Sequence, residues 1–489
     1  MPNIEELREN RLKKLNSLHG RAIDPYPIST KRTHTIAQAL KDFTKISKSK
    51  KEIVLVGRVM SIRRHGAIAF LNFMDGTAKI QGCLRIDTMG EKNYEFFFDH
   101  FDMGDFIEAQ GSLITSKTGE KTLSISDYKF LAKSLLPLPE KWHGLQDIEE
   151  RYRKRYLDLI FNVEQKEKFI LRSKIINGIR EYMEKKGFME VETPILQPLY
   201  GGAKARPFKT HLNAFDMEVF LRVAPELYLK RLIVGGFEKI FELGKCFRNE
   251  GVDKSHNPDF TMMEFYWAYA DYKEMMKYVE TMLSTLVKKI YKTGKVTIGD
   301  NVVDFKPPFP RIEFNDLLKK YAHIDFDEMN RDAMAIKAKE LGVDIEKGSG
   351  KAEIADEIYK KYCRPQLIQP TFIIHHPLGF QTLAKRKSEN RLASIQLIIA
   401  GTELVNAFSE LNDPVEQRAR FDEQQKLFKQ GFSEAHQSDQ EFLEALEYGM
   451  PPCAGCGIGI DRLIMLLTNS TNLREVIPFP TMKPKQEII

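Results

Sequence analysis

The sequence predicts an α+β protein in which a small β-barrel precedes a larger unit of mixed helices and strands. Three observations point that way. Residues 53–131 carry five short runs rich in Val, Ile, Phe and Leu, set apart by Gly or Asp turns. From about residue 160 onward, amphipathic helix patterns alternate with short strand patterns and no internal repeat appears. A length of 489 residues also leaves room for about two to four domains. The composition, 42% hydrophobic and 29% charged, is globular and excludes collagen-like, disordered and disulfide-stapled classes.

Residues 1–50 hold two helix-like stretches broken at Asp24-Pro25-Tyr26-Pro27. They contain eleven Lys or Arg against five acids, which accounts for the whole net charge of +6. From charge alone a solvated tail is the simpler reading. The sharper one is a basic helical arm that reaches an anionic partner from one end. The chain starts without a charged, apolar and small-residue leader pattern, and no run approaches a membrane span. The expectation is therefore a cytoplasmic protein that does not enter a membrane. Five scattered cysteines fit a reducing compartment. Cys453-Ala-Gly-Cys456 has zinc-knuckle spacing but lacks a second pair.

The five runs, at 53–62, 67–73, 78–85, 105–115 and 123–131 with an insert at 89–101, suit a Greek-key barrel of the OB type over residues 51–134. Such barrels bind oligonucleotides on one face through aromatic stacking and basic side chains. Arg58, Arg63, Arg64, Phe70, Phe73 and Gln81 lie in strands that could form that face. Phe70 and Phe73 are three apart, so strand alternation allows only one of them to be core.

Leu135-Leu136-Pro137-Leu138-Pro139 opens a linker, 135–160, that includes a charged helix-like run at 147–159. The second unit, 161–489, begins with an amphipathic helix at 169–186 stopped by Gly187. A short strand closed by Pro194 follows. Strands at 219–223 and 239–247 flank a helix at 225–234. Further strands are expected at 371–374, 397–399 and 403–408, and a Gly-rich strand leads into a helix over 456–467. Residues 321–365 form a polar helical insert. Two Gly-rich stretches mislead. Gly348-Ser349-Gly350-Lys351-Ala352 lacks the glycine offset and the hydroxyl of a phosphate loop. In Gly455-x-Gly457-x-Gly459 the third glycine is one residue too early for a dinucleotide fingerprint.

Three segments concentrate chemistry. Gly187-Phe188-Met189-Glu190-Val191-Glu192-Thr193-Pro194 follows a long helix. Phe247-Arg248-Asn249-Glu250 is followed by His256-Asn257-Pro258-Asp259-Phe260-Thr261-Met262-Met263-Glu264. Gly455-Cys456-Gly457-Ile458-Gly459-Ile460-Asp461-Arg462-Leu463 precedes an apolar helix. Arg248 and Arg462 can bind oxyanions bidentately, and Arg462 sits at a helix start that itself favours anions. Glycines 455, 457 and 459 allow a ligand close to the strand, and Phe260 can stack on a purine. In order and separation these segments resemble motifs 1, 2 and 3 of class II aminoacyl-tRNA synthetases. The resemblance implies an N-terminal OB-fold barrel followed by a catalytic domain built on an antiparallel sheet, and a homodimer joined through motif 1.

Further stretches make the resemblance that of the bacterial-type lysyl-tRNA synthetases over roughly residues 50–484. They include Glu140-Lys141-Trp142-His143-Gly144-Leu145, Gly201-Gly202-Ala203 and Ala224-Pro225-Glu226-Leu227-Tyr228-Leu229-Lys230-Arg231. Asn406-Ala407-Phe408-Ser409-Glu410-Leu411-Asn412-Asp413-Pro414 is another. This implies ATP-dependent activation of L-lysine to lysyl-adenylate and transfer to tRNA(Lys). Carried over residue by residue, Gly202 and Glu226 receive the substrate α-amino group. Glu264, Tyr266 and Glu410 receive the ε-ammonium, helped by Asn406 and Phe408. Arg248 bridges the substrate carboxylate and the α-phosphate. Glu250, His256, Asn257, Phe260, Glu403 and Arg462 complete the ATP site. Mg²⁺ on the phosphates is assigned to Glu403, Glu410 and position 396. In the barrel, Phe70 and Gln81 with Arg63 or Arg64 match the positions that read a U-rich anticodon. The basic arm before it is placed to hold nearby phosphates.

The sequence departs from the family between 375 and 402. The family's Arg-Phe-Glu is Ser394-Ile395-Gln396, so a neutral amide stands where a magnesium-binding carboxylate is usual. The arginine that usually precedes Glu403 is Thr402. Asp-x-Pro becomes His375-His376-Pro377, and Ser-Pro-Leu becomes Gln381-Thr382-Leu383. Either these are drift in a working enzyme, or the chain is a paralogue with weakened activation that acts as an RNA-binding or regulatory protein.

Overall fold

In the computed structural model the chain forms two units, Met1–Gln146 and Asp147–Ile489. The described residues are 3–139, 147–345, 348–429 and 438–485. The stretch Glu140-Lys141-Trp142-His143-Gly144-Leu145 lies outside them.

In the first unit the five expected strands are β1 (Ile53–His65), β2 (Ile68–Met74), β3 (Lys79–Arg85), β4 (Phe106–Thr115) and β5 (Lys121–Ala132). They close a barrel in the order β1-β2-β3-β5-β4, with β3 and β5 parallel. A parallel pair needs a crossover, and the insert supplies it with helices Ile86–Met89 and Glu91–His100. β1 runs three residues past the expected 62 because the tight β1–β2 hairpin pairs Arg63 with Phe70 and His65 with Ile68. Alternation settles the two phenylalanines. Phe73 is fully buried with Ala69 and Leu71, while Phe70 faces outward and is only half-buried.

The basic segment is three helices, α1 (Ile4–Gly20), α2 (Ile36–Lys41) and α3 (Phe43–Ser49). It is not a free tail. Leu18, Ile36, Ala39 and Phe43 join the barrel core, the Leu, Ile and Phe side chains each contributing about 1.5–3 kcal/mol by leaving water. Arg11, 8% exposed, donates to the carbonyls of Ser134 at 3.0 Å, Leu136 at 3.1 Å and Met103 at 2.9 Å. Lys14 pairs with Asp102 at 2.8 Å. Lys13, Lys45 and Lys48 remain exposed.

The second unit is built on an eight-stranded sheet. Its order is Arg311–Glu313, Thr371–Ile374, Ser394–Ile399, Thr402–Ser409, Cys453–Gly459, Asp259–Ala268, Lys239–Phe247 and Met189–Glu190. The pairs at the two ends are parallel and the others antiparallel. The strand expected at 219–223 is Met217–Leu221, in a separate three-stranded sheet. The run at 147–159 belongs to this unit and not to a linker. Its helices Ile148–Arg153 and Arg155–Phe161 are anchored by the buried Arg155, which pairs with Asp158 at 2.7 Å and donates to Arg474 O at 2.6 Å. The insert is helical as expected and has its own core around Met334, Ile354 and Ile358.

The two faces of the sheet differ. On Asp259–Ala268, Met263 and Phe265 enter a core shared with helices Val163–Lys185, Tyr272–Tyr291 and Ile460–Leu467. The alternate residues Met262, Glu264 and Tyr266 line a cavity on the opposite face. Among the described residues no helix is long and apolar enough to cross a membrane.

Replacing Arg11 with alanine strips three partly buried carbonyls of their donor. It should cost the first unit about 2–3 kcal/mol, read as a fall in its urea unfolding midpoint.

Candidate active site

The cavity, about 340 Å³, has an acidic end and a basic end. At the acidic end, helix Glu226–Val234 places Glu226 and Lys230 one turn apart. Lys230 Nζ lies 2.6 Å from Glu226 Oε1 and 2.5 Å from Glu410 Oε2, and all three groups are buried. Glu264 comes from the central strand, and Tyr266 Oη donates to its Oε2 at 3.4 Å. Burial, reinforced by Glu226, holds Glu264 well above the usual carboxylate range. Burial also pushes Glu410 up to about 8 against the pull of Lys230. Burial opposes the Lys230 ammonium as well, but the two carboxylates outweigh it and its pKa is raised.

Two glycines make room for these acids. A Cβ at Gly455 would overlap Glu410 Oε1 and the Tyr266 ring. Gly202 has φ of +87°, and a Cβ there would lie 2.8 Å from Glu226 Cβ. Asn406 Oδ1 accepts a hydrogen bond from Gln381 Nε2 at 2.5 Å.

At the basic end, Arg248 follows strand Lys239–Phe247, and its backbone N–H bonds Pro258 O at 2.9 Å. Its guanidinium carbon stands 5.1 Å from the centre of the Phe260 ring. Its buried Nε has no partner among the described residues. Arg462, in the first turn of helix Ile460–Leu467, donates to Glu403 O at 3.1 Å and lies 3.1 Å from His256 Nε2. His256 Nδ1 is 2.9 Å from Asp253 Oδ2. Burial works against the Asp253 carboxylate, but the bonds from His256 and Ser255 bring it down to about 2.

Seven expected lysine residues, Gly202, Glu226, Glu264, Tyr266, Asn406, Phe408 and Glu410, line this one cavity. The expected nucleotide residues Arg248, Glu250, His256, Asn257, Phe260, Glu403 and Arg462 line it too. The metal set is not brought together. Gln396 is buried outside the lining, beside His376, whose Nδ1 bonds Ser394 Oγ at 3.0 Å. Glu410 is seven positions beyond Glu403 on an extended strand, about 20 Å away, and is occupied by Lys230. Among the described residues no three His, Cys, Asp or Glu side chains are grouped to hold a metal. The departures at 375–402 pack on one another or on the cavity wall. His375 bonds Tyr272 Oη at 2.9 Å and Glu313 Oε1 at 2.7 Å, and Gln381 reaches Asn406. Sequence reading missed Lys230 and Gln381. The Glu226-to-Lys230 spacing of four on a helix was the available signal for the first. Gln381 had none, because it joins Asn406 only through the fold.

On the barrel, Arg63 and Phe70 are cross-strand partners on the outer face. Gln81 lies on the same face, its amide bonded to Glu120 Oε2 and Thr122 Oγ1, each at 2.9 Å. Arg64 points the other way. It pairs with Glu95, and its guanidinium carbon is 4.6 Å from the Phe98 ring centre. Alternation therefore assigns Arg63, not Arg64, to the face that carries Phe70.

The family described as tRNA synthetases class II (D, K and N) matches residues 147–483, and an OB-fold nucleic acid binding domain matches 53–131. The chain belongs to that class II synthetase family. A lysine–tRNA ligase of Dehalococcoides mccartyi is 49% identical to it, covering 99% of this chain and 98% of its own. Those of Pelotomaculum thermopropionicum and Moorella thermoacetica are each 46% identical over 99% of this chain, with 96% and 99% of their own lengths covered. The activity is therefore lysine–tRNA ligation, and no observation favours the regulatory alternative.

Two outcomes follow from the acidic end. Acidification protonates carboxylates whose pKa values are raised and removes acceptors for an ammonium. The KM for lysine should therefore rise from about pH 8 downward, by up to about tenfold per unit, in ATP–pyrophosphate exchange. Gly455→Ala should raise the lysine KM sharply and leave the ATP KM within about twofold, because it displaces Glu410 and not the arginines.

Proposed function

We propose that the acidic end of the cavity takes the two ammonium groups of L-lysine and the basic end takes ATP. The observation that carries this is one cavity with three buried carboxylates at one end and, at the other, Arg248, whose buried Nε has no hydrogen-bond partner among the described residues. Glu226 and Gly202 receive the α-amino group, and Glu264, Tyr266 and Glu410 receive the ε-ammonium. The substrate carboxylate then projects toward Arg248, where the α-phosphate of ATP meets it. Arg248 neutralises both anions as they approach, and Arg462 with His256 holds the outer phosphates. Phe260 packs on the adenine. The lysine carboxylate attacks the α-phosphorus and diphosphate leaves. A tRNA 3′ hydroxyl then attacks the adenylate carbonyl, and AMP leaves. Both nucleophiles come from substrates, so the protein needs no nucleophile of its own.

Mg²⁺ bound with ATP would neutralise phosphate charge. Glu403, which lines the cavity, would be its carboxylate ligand, and phosphate oxygens and water would supply the others. On the barrel, Phe70 stacks on an anticodon base while Arg63 and Gln81 reach base edges and phosphates. The exposed Lys13, Lys45 and Lys48 support a role for the basic helices in holding phosphates. Exposed Met189, Ile195, Leu196 and Leu199 around the first motif support a homodimer in which they are covered, to be checked by sedimentation.

The direct test is ATP–pyrophosphate exchange with lysine, aspartate and asparagine, in which lysine alone should support exchange. Phe70→Ala and Arg63→Ala should raise the tRNA KM, the first by about 1–3 kcal/mol of lost stacking, with exchange unchanged. Arg64→Ala should move neither.

A further inference from the structure

The buried Lys230 is a charged group beside the acidic end that the proposed reaction does not use. It sits on the helix that carries Glu226, fully buried, with its ammonium shared between Glu226 at 2.6 Å and Glu410 at 2.5 Å. Phe408 and Phe442 lie with their ring centres 5.6 and 5.9 Å from Nζ. These rings flank the fully buried ammonium. A cation here looks self-defeating in a pocket built to attract cations. The charge count resolves the contradiction. Fully ionised, the three buried carboxylates Glu226, Glu264 and Glu410 would exceed the one ammonium of Lys230 by two negative charges. Lysine brings two ammonium groups. The occupied acidic end is then electrically balanced, which a low-dielectric interior strongly favours. An amino acid with a neutral side chain would leave one buried carboxylate unmatched, and an anionic one would leave more.

We infer that Lys230 is a positioning residue that sets both the charge and the geometry of the substrate pocket. It locks Glu226 and Glu410, from two different elements, at one fixed separation. It also lowers the capacity of three carboxylates to that of one dicationic amino acid. This rests on the reading that the acidic end is the lysine site.

The test is kinetic. Lys230→Met keeps length and apolar packing but removes the charge. Its KM for lysine in ATP–pyrophosphate exchange should rise tenfold or more, with kcat and the ATP KM each within about threefold. By the charge count norleucine then leaves two carboxylates unmatched and lysine one, so lysine should remain preferred over norleucine. An unchanged lysine KM would overturn the inference, as would an equal fall in kcat for both amino acids with KM unmoved. Should the single variant unfold too readily to assay, Lys230→Met/Glu226→Gln removes one acid with the base. It should recover the thermal midpoint while the lysine KM stays raised, and failure to recover it would contradict the charge balance. Glu264→Gln leaves both Lys230 pairs intact and tests the pocket itself. If Glu264→Gln does not raise the lysine KM, the lysine-site reading fails. If it does and Lys230→Met does not, only the role of Lys230 falls.

Discussion

Burying three carboxylates together is the constraint around which the second unit is arranged. Each would cost several kcal/mol in a dry interior without a partner. Lys230 therefore bridges Glu226 and Glu410, Tyr266 bonds Glu264, and Gly455 and Gly202 give up their side chains to admit the acids. The helix bearing Glu226 and Lys230, the central strand bearing Glu264 and the strand ending at Glu410 must all converge for any one of these contacts to form. In the proposed lysine site the substrate would supply the positive charge that the cluster still lacks.

The basic end follows the opposite logic. Arginine stays charged in any setting, so its groups can wait for an anion without being neutralised. Arg462 is oriented by Glu403 O and His256, and His256 in turn by Asp253. Arg248 is positioned by its backbone and by Phe260, and its Nε has no partner among the described residues. Acid and base are kept apart along the cavity because a direct pairing would consume both. The sheet makes that separation possible. Its strands send one set of side chains into the helical core and the alternate set into the cavity.

The departures between 375 and 402 look alarming as a list of missing residues and less so in space. His376, Ser394 and Gln396 form a buried neutral patch, where burial holds His376 down near 3. An ionised glutamate at 396 would stand in a buried site beside a neutral histidine. Gln381 and Thr382 line the cavity, whereas His375, His376, Ser394, Gln396 and Thr402 do not. Gln381 even adds a contact to Asn406.

The barrel, the long helices and the three motifs were legible in the sequence because each depends on local periodicity or on residues close along the chain. So were the fourteen cavity residues, whose motif context carries them as a set. What needed the tertiary structure were facts about direction and convergence. Sequence could not choose between Arg63 and Arg64, since adjacent strand residues differ only in which face they take. It grouped Glu410 with Glu403 as metal ligands, although seven extended residues hold them apart. It treated the basic segment as an arm, because nothing local shows Leu18 and Phe43 meeting the barrel core. It passed over Lys230, whose partner Glu410 lies 180 residues away and is reached only when the strands pair. Residue chemistry and spacing are written along the chain; which charges share a dry space is decided by the fold.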